Sequence, residues 1–561
     1  MPSEQIAGKQ RVVVVTGGAA GIGAAIAEEL GRIGAFVVTL DPVVSVDGST
    51  RIDTPEQTTA ERIIEAGGTA RASNTSVTDR EAVQTLFSEL VDEFGSLDAV
   101  VNVAGISRVT DLASGTEEDW AAVLNVHLDG YLNVLRAALP IMAKAGRGRI
   151  LGVTSGSGWR PANVGAYGCA KRAVAALTWQ IGQTTPEGVT VNALSPIAAT
   201  RMVTGGAGRP PAAARQTGST TDTGGLNLGS MPPPENLGPV GAYLASEEFG
   251  WCRGQIIFSG GSELALLAPP RLLEVTRTAH VTSLPHALET VIPIAFATAE
   301  AAQATNGGSN PRYGPIFDEP TAQSEQDAGA GLTCVIVTDD DQWGAVLGEA
   351  LTLQGVTCVG AGTKPAQGFA AAAEQIAQAA RDHGPIDAVV VALVGDVVGN
   401  GRGSAGYQWQ QVLDEHEGIA ENIRTDAGWV RAVSDYSAQA DRPVRIVTVT
   451  NATSSAGRSR AQAAAQLSRA GHMASSGRVD AFAISVETAE ESERRSVADL
   501  VAHLVGNADS GALSGAELVA ASGWFGLRSH PSPAATISFG GPAIPDWLDG
   551  TLRRIVTASP G

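Results

Sequence analysis

The sequence predicts an α/β protein of two tandem, doubly wound parallel-sheet units, the second a degenerate copy of the first. Three observations carry that expectation. Apolar runs of strand length alternate with longer helical patterns from Val12 onward, a rhythm that leads to a parallel sheet covered by helices on both faces. The rhythm breaks in a polar segment rich in Pro, Gly and Asp, and then resumes. Short stretches on the two sides of that break also match one another in the same order.

In the first half the strands are expected at 11–16, 36–40, 99–102, 150–154, 190–195 and 255–258. A Gly, Pro, Ala and Thr-rich stretch at 205–234 is too long for an ordinary turn and reads as a functional loop. Residues 271–296 read as helical and 306–331 as a linker. The expected division is therefore a catalytic unit at 1–270, a helical extension and linker at 271–330, and a second unit at 331–561. Four echoes define the repeat. Val12-Val13-Val14-Val15-Thr16 matches Cys334-Val335-Ile336-Val337-Thr338, and Leu97-Asp98-Ala99-Val100-Val101 matches Ile386-Asp387-Ala388-Val389-Val390. The stretch from Arg149 to Thr154 matches that from Arg445 to Thr450, and Phe258-Ser259-Gly260-Gly261 matches Phe539-Gly540-Gly541.

A formal net charge of −20 repels phosphate backbones and anionic membrane surfaces, so neither nucleic acid nor membrane is an expected partner. No apolar run approaches the roughly 20 residues of a spanning helix. Residues 1–9 are polar and lead straight into a strand, which argues for a cytoplasmic protein. Cys169, Cys252, Cys334 and Cys358 are widely spaced and read as reduced, mostly buried thiols. No metal site is expected.

The first strand runs into Thr16-Gly17-Gly18-Ala19-Ala20-Gly21-Ile22-Gly23, which opens a helix. This is the setting of a dinucleotide loop in a Rossmann-type fold: Gly17, Gly21 and Gly23 let the backbone turn and approach a pyrophosphate at the helix N-terminus. Asp41 ends the second strand, where a carboxylate accepts hydrogen bonds from the ribose hydroxyls and repels a 2′-phosphate, so NAD is favoured over NADP.

Tyr167-Gly168-Cys169-Ala170-Lys171 places Tyr167 and Lys171 four apart on one helix face, so that the ammonium lies near the phenol and lowers its pKa. With the glycine loop, Asn102-Val103-Ala104-Gly105 and the strand ending at Thr154-Ser155, these residues resemble the short-chain dehydrogenase/reductase family over about residues 8–265. The resemblance implies Tyr167 as general acid/base, Lys171 on the nicotinamide ribose and Ser155 on the substrate oxygen. It also implies cofactor contacts from Thr16, Ile22, Ser76, Val77, Asn102, Ala104, Gly105, Pro196, Ile197 and Thr200. Ile197 replaces the family's usual Gly, and Ser155 stands one residue closer to Tyr167 than usual, which leaves Thr154 and Ser157 as alternatives. His127 falls where the family has a fourth catalytic residue, an Asn; it either joins a proton relay or only packs in its helix.

Within the family, the insert after Asp41, Thr75-Ser76-Val77, the run Val126-His127-Leu128-Asp129-Gly130 and Ala198-Ala199-Thr200-Arg201-Met202 look like the (3R)-hydroxyacyl-CoA dehydrogenase part of type-2 multifunctional enzymes. The resemblance thus implies a small-molecule alcohol or ketone, CoA-linked in that branch, with steroid or cyclic alcohols as the alternative. Only Arg209 and Arg215 offer positive charge in the 205–234 loop. In the second half, counting from Asn451 puts Ala463 and Leu467 where Tyr and Lys belong, and Asp339-Asp340-Asp341 replaces the glycine loop. That half is expected to bind no dinucleotide, and the three aspartates read as a solvated turn. The chain is then a built-in pseudo-dimer, two of which would form a homo-oligomer. A non-catalytic NAD-binding sensor is the competing class, and a fused hydratase is disfavoured by the repeat.

Overall fold

The computed structural model describes residues 10–53, 55–200, 222–223, 226–227, 231–278, 283–303, 309, 331–360, 368–394, 407–541 and 543–558. Most of the 205–234 loop and, apart from Ser309 and Gly331, the 306–331 linker lie outside these residues.

The first lobe runs β1 (Val12–Thr16), α1 (Gly21–Arg32), β2 (Phe36–Leu40), α2 (Thr59–Glu65), β3 (Thr69–Ser73), α3 (Arg80–Phe94), β4 (Ala99–Asn102), α4 (Glu117–Leu124), α5 (Gly130–Ala145), β5 (Gly148–Val153), α6 (Gly165–Thr184) and β6 (Val189–Pro196). It continues through a small hairpin, β7 (Asp222–Thr223) with β8 (Leu226–Asn227), then α7 (Gly238–Leu244), β9 (Ile256–Ser259) and β10 (Glu263–Ala268). The central strands are runs of Val, Ile and Leu buried on both faces, as a parallel sheet between helix layers demands. Strands β3-β2-β1-β4-β5-β6-β9 pair in parallel, and β10 turns back antiparallel.

The second lobe begins with β11 (Leu272–Arg277), α8 (Leu284–Val291) and α9 (Ala297–Ala301). It continues β12 (Thr333–Thr338), α10 (Asp341–Leu353), β13 (Thr357–Val359), α11 (Phe369–His383), β14 (Ala388–Ala392), α12 (Gln408–Glu415), α13 (Ile419–Ala440), β15 (Val444–Asn451), α14 (Ser455–Ala474), β16 (Val479–Val486), α15 (Glu493–Gly506), β17 (Glu517–Ala521) and β18 (Trp524–Arg528). The chain ends with β19 (Ser532–Ser538) and α16 (Leu548–Ala558). The order β13-β12-β14-β15-β16-β17-β18 repeats the first sheet with one edge strand fewer. The repeat extends to hydrogen bonds: the Asp98 carboxylate accepts from Val12 N at 2.9 Å, and that of Asp387 from Thr333 N at 2.7 Å.

Each lobe completes the other's sheet. After β10 the chain crosses to pair β11 with β18, and after β18 it crosses back to pair β19 with β10, both antiparallel. Three expectations are corrected here. The segment at 271–296 opens with the strand β11 before its helix, because its backbone pairs with the open edge of β18 while Leu272, Leu273 and Val275 stay exposed. The fourth echo is not a structural equivalence: Phe539 follows β19 in the first sheet, whereas the counterpart of the β9–β10 hairpin is β17–β18. The boundary expected at 331 likewise does not separate the sheets, since β19 and α16 belong with the first.

The lobes meet through helices. Helix α6 lies antiparallel along α14, with α4, α5, α12 and α13 beside them, and one continuous apolar core runs through both sides. Among the described residues, no helix is long and apolar enough to cross a membrane.

Candidate active site

Where β1 meets α1, the backbone depends on missing side chains. Gly17 and Gly21 have φ of 65° and 58°, and a Cβ on Gly17 would lie 2.9 Å from Ala104 Cα and N. A Cβ on Gly23 would lie 2.2 Å from Gly17 O. Helix α1 is entered through Ala20 with no side-chain cap and no acidic residue in its first turn, so its N-terminal amides face out of the loop, the arrangement that takes a phosphate. Ile22 packs on the core behind the loop. Thr16 is fully buried and bridges to the neighbouring strand end: Oγ1 donates to Asn102 Oδ1 at 2.9 Å and accepts from Ala104 N at 3.1 Å. Asp41 lies against the same loop, its carboxylate accepting from Ala19 N at 3.2 Å and Val43 N at 2.8 Å.

The other predicted cofactor residues stand at different points of the first lobe. Thr200 Cγ2 is 3.8 Å from where a Cβ on Gly21 would stand, so the segment after β6 closes over the loop. Pro196 ends β6, and Ile197, buried, donates its N–H to Ser259 O at 3.0 Å. Ser76 is half-buried with its hydroxyl 2.8 Å from that of Thr78. Val77 faces inward: its carbonyl accepts from Asn133 Nδ2 at 3.0 Å and its side chain packs on Gly130.

Tyr167 and Lys171 stand one turn apart on α6, with the Lys171 ammonium 5.7 Å from the Tyr167 ring centroid. Lys171 Nζ donates to Val153 O at 2.7 Å, and burial lowers its pKa to about 7. Burial pushes the Tyr167 phenol above its ordinary value, and the neighbouring Ser155 hydroxyl partly offsets that rise. The sequence expectation that Lys171 lowers the phenol is thus outweighed in the chain by itself, because the low-dielectric surroundings disfavour the phenolate and the ammonium alike. Of the alternatives to Ser155, Thr154 is fully buried with Oγ1 committed to Lys171 O at 2.6 Å, while Ser157 donates its backbone N–H to Ser155 Oγ at 3.3 Å.

His127 sits on a single π-helical turn, Asn125–Asp129, between α4 and α5. Its ring lies edge-on to Tyr167, with centroids 5.1 Å apart. Nε2 is 2.8 Å from Ile106 O and 3.2 Å from Ile106 N, and Nδ1 is buried without a partner among the described residues. Burial, aided by Lys171, lowers its pKa to about 3, so the ring is neutral. Gly105 makes room for it: a Cβ there would meet His127 Cε1 at 2.4 Å. The insert after Asp41 folds onto this loop, with Ser107 N donating to Val46 O at 2.8 Å and Arg108 Nε to Asp47 O at 2.7 Å.

The second lobe has closed the equivalent positions with its own side chains. Asp340 caps α10, accepting from Gln342 N at 2.9 Å and Trp343 N at 3.0 Å, so the amides that stay open on α1 are satisfied here. Asp339 accepts from Val394 N at 2.9 Å. Counted from the helix starts Gly165 and Ser455, Tyr167 and Lys171 correspond to Gly457 and Ala461, not to Ala463 and Leu467, because the connection from β15 to α14 is shorter. Nearby, Arg460 and Asp426 form a buried two-pronged ion pair at 2.8 and 2.7 Å.

Sequence reasoning missed the groups that fasten the lobes. Arg172, next to Lys171, is fully buried and donates to Glu517 of β17 at 2.6 Å and Gln462 of α14 at 3.0 Å. No local pattern marks such a pair, since its members are 345 residues apart.

A parallel α/β sheet with an uncapped glycine loop and a Tyr-Lys helix at its carboxyl edge defines a nucleotide-dependent oxidoreductase. The chain belongs to the short chain dehydrogenase family, whose model matches residues 11–205. It is 31% identical over 274 residues to the hydroxyacyl-CoA dehydrogenase ChsB1 of Mycobacterium tuberculosis, covering 47% of this chain and 81% of that enzyme. It is 34% identical over 261 residues to the cis-4-hydroxycyclohexanecarboxylate dehydrogenase of Sinomonas cyclohexanicum, 46% of this chain and 98% of that one. A third relative, the peroxisomal multifunctional enzyme A of Dictyostelium discoideum, is 36% identical over 198 residues, 35% of this chain and 44% of that protein. Dehydrogenases of this family use a nicotinamide cofactor, NAD or NADP.

Proposed function

We propose that the first lobe interconverts a secondary alcohol and a ketone with NAD, and that Tyr167 moves the proton. The observation that carries this reading is the Ser155–Tyr167–Lys171 group standing in one lobe with the open N-terminus of α1. Gly17, Gly21 and Gly23 would hold the pyrophosphate side, with buried Thr16 positioning the Asn102–Ala104 strand end instead of touching the cofactor, and Asp41 would take the adenosine ribose, where its carboxylate disfavours a 2′-phosphate. When bound, NAD would supply the hydride-accepting nicotinamide ring and its positive charge. Tyr167 Oη takes the alcohol proton, Ser155 Oγ orients the substrate oxygen, and Lys171, with its pKa near 7, relays the proton outward. His127, neutral and hydrogen-bonded to Ile106, holds the Gly105–Ile106 backbone and stays uncharged at neutral pH.

A 3-hydroxyacyl-CoA is the leading substrate class, supported by the name of the hydroxyacyl-CoA dehydrogenase ChsB1, and a cyclic alcohol is the second, supported by that of the cis-4-hydroxycyclohexanecarboxylate dehydrogenase. The second lobe stands in for the partner subunit of a dimer, giving a pseudo-dimer in one chain. The test is NADH formation by the purified full chain, with NAD and NADP compared, over 3-hydroxyacyl-CoA esters, steroid alcohols and cyclic alcohols. Turnover with NAD that falls at least about a thousandfold in Tyr167→Phe is the expected result; wild-type-like turnover in that variant would sink the proposal.

A further inference from the structure

The connection between β5 and α6 carries Ser155 and leads to Tyr167, and it is held partly from within the first lobe. Gly158 N bonds to Ser155 O at 2.9 Å, Arg160 N to Gly156 O at 3.0 Å and Ala162 N to Arg160 O at 2.8 Å. Two of its carbonyls, one of them Arg160 O, are also met from the second lobe. The side-chain amide of Gln466, on α14, donates to Ser157 O and to Arg160 O, each at 3.1 Å. Gln466 is 1% exposed, so this fork is shielded from water. Gly168, the residue after Tyr167, leaves the space through which the fork arrives: a Cβ there would lie 3.3 Å from Gln466 Nε2. One helical turn away, Arg172 is clamped by Gln462 and Glu517, so the second lobe grips both the loop bearing Ser155 and the helix bearing Tyr167 and Lys171.

Resting on the reading of Ser155 and Tyr167 given above, we infer that Gln466 is a positioning residue for the first lobe's chemistry: the half of the chain without a catalytic Tyr or Lys fixes the Ser155 loop against Tyr167 through the two-carbonyl fork. Holding Ser157 O and Arg160 O sets the course of the backbone on either side of Gly158, and through it the distance from Ser155 Oγ to Tyr167 Oη. Freed of the fork, the loop gains motion and the Ser155 hydroxyl stands beside Tyr167 less of the time. Ser155 favours the phenolate, so its withdrawal raises the pH at which the base becomes available for alcohol oxidation.

The experiment uses the full chain with Gln466→Met, which keeps the length of the side chain and removes both donors. Gln466→Asn, one methylene short, serves as the second variant if the first fails to fold. The expected result is a kcat for alcohol oxidation lower by about tenfold, the loss of one or two buried hydrogen bonds at the reacting centre. KM for NAD should stay within about twofold, because the fork does not touch the glycine loop. The acid limb of the pH profile should move to higher pH, and backbone amides from 156 to 164 should exchange faster in deuterium-exchange mass spectrometry. Active wild type with an unchanged kcat, limb and exchange in both variants overturns the inference and leaves the dehydrogenase reading standing. A lower melting temperature with unchanged kcat and limb also overturns it, because Gln466 then only packs. Wild type without turnover, with faster loop exchange in Gln466→Met, instead sinks the dehydrogenase reading and keeps the fork as what holds the loop.

Discussion

At the scale of single residues, the pairing of Gly105 with His127 is as specific as any catalytic contact in the site. A methyl group at Gly105 would stand 2.4 Å from His127 Cε1, so Gly105→Ala must displace the ring and with it the Ile106 hydrogen bond. Steady-state kinetics should show kcat lower by about tenfold or more, with activity partly regained when His127→Ala is added; no regain would mean that the methyl disturbs the backbone directly. The buried histidines make a second prediction. Burial lowers the pKa of His127 to about 3 and that of His416 to about 4, below the roughly 6.5 of an unfolded chain. The fold therefore favours the neutral rings, a contribution fully present above pH ~6.5 and lost as pH falls toward the folded values. Each ring should cost about 2 kcal/mol of stability between pH 8 and pH 5. Urea midpoints measured across that range should fall less steeply in His416→Gln than in wild type. The glycine turn into α1, the one-turn spacing of Tyr167 and Lys171 and the place of Asp41 at the end of β2 were legible in sequence because they rest on local spacing. The neutrality of His127 was not, because desolvation depends on what the rest of the chain piles around the ring.

At the scale of elements, the N-termini of α1 and α10 show how one motif is kept and its repeat closed. The two helices follow the corresponding strands β1 and β12, yet α1 has no side-chain cap and α10 carries Asp340 on two of its amides. Asp340→Ala should destabilise the protein by about 1 kcal/mol in chemical denaturation and leave kcat unchanged, as expected of a cap remote from the chemistry. The central strands were readable because a strand buried on both faces must be a continuous apolar run. Strand β3, Thr-Ala-Arg-Ala-Ser, was missed because an edge strand with exposed positions has no such requirement. Strand β11 was taken for helix because its Leu-Leu-Glu-Val run fits either period over so few residues.

At the scale of the whole molecule, the exchange of β11 and β19 ties the lobes into one folding unit. Strand β19 covers the edge of β10, and α16 covers Tyr243 and Trp251, both of which donate to Asp549, at 2.9 and 2.7 Å. A chain ended after Arg528 should expose that edge and those aromatic rings, and should associate or precipitate in size-exclusion chromatography while the full chain elutes as a defined species. A soluble truncated chain with full activity would show that the exchanged strand is dispensable. The repeat itself was legible from three ordered echoes, but the fourth was coincidence. Sequence order placed Phe539 beside a hairpin of its own half, whereas strand pairing carries β19 to the other sheet.

By itself the sequence determined the α/β class, the repeat, the glycine loop and the Tyr-Lys helix of the first half, together with their loss from the second. Each of these is written in spacing along the chain: the strand and helix periods, a turn that only glycine can make, two side chains one helical turn apart. Only the tertiary structure decided which strands complete which sheet, that Arg172 is buried against Glu517, and that Gln466 reaches the Ser155 loop. These join residues hundreds of positions apart, and burial, pairing and shielding from water come into being only when the two halves pack together.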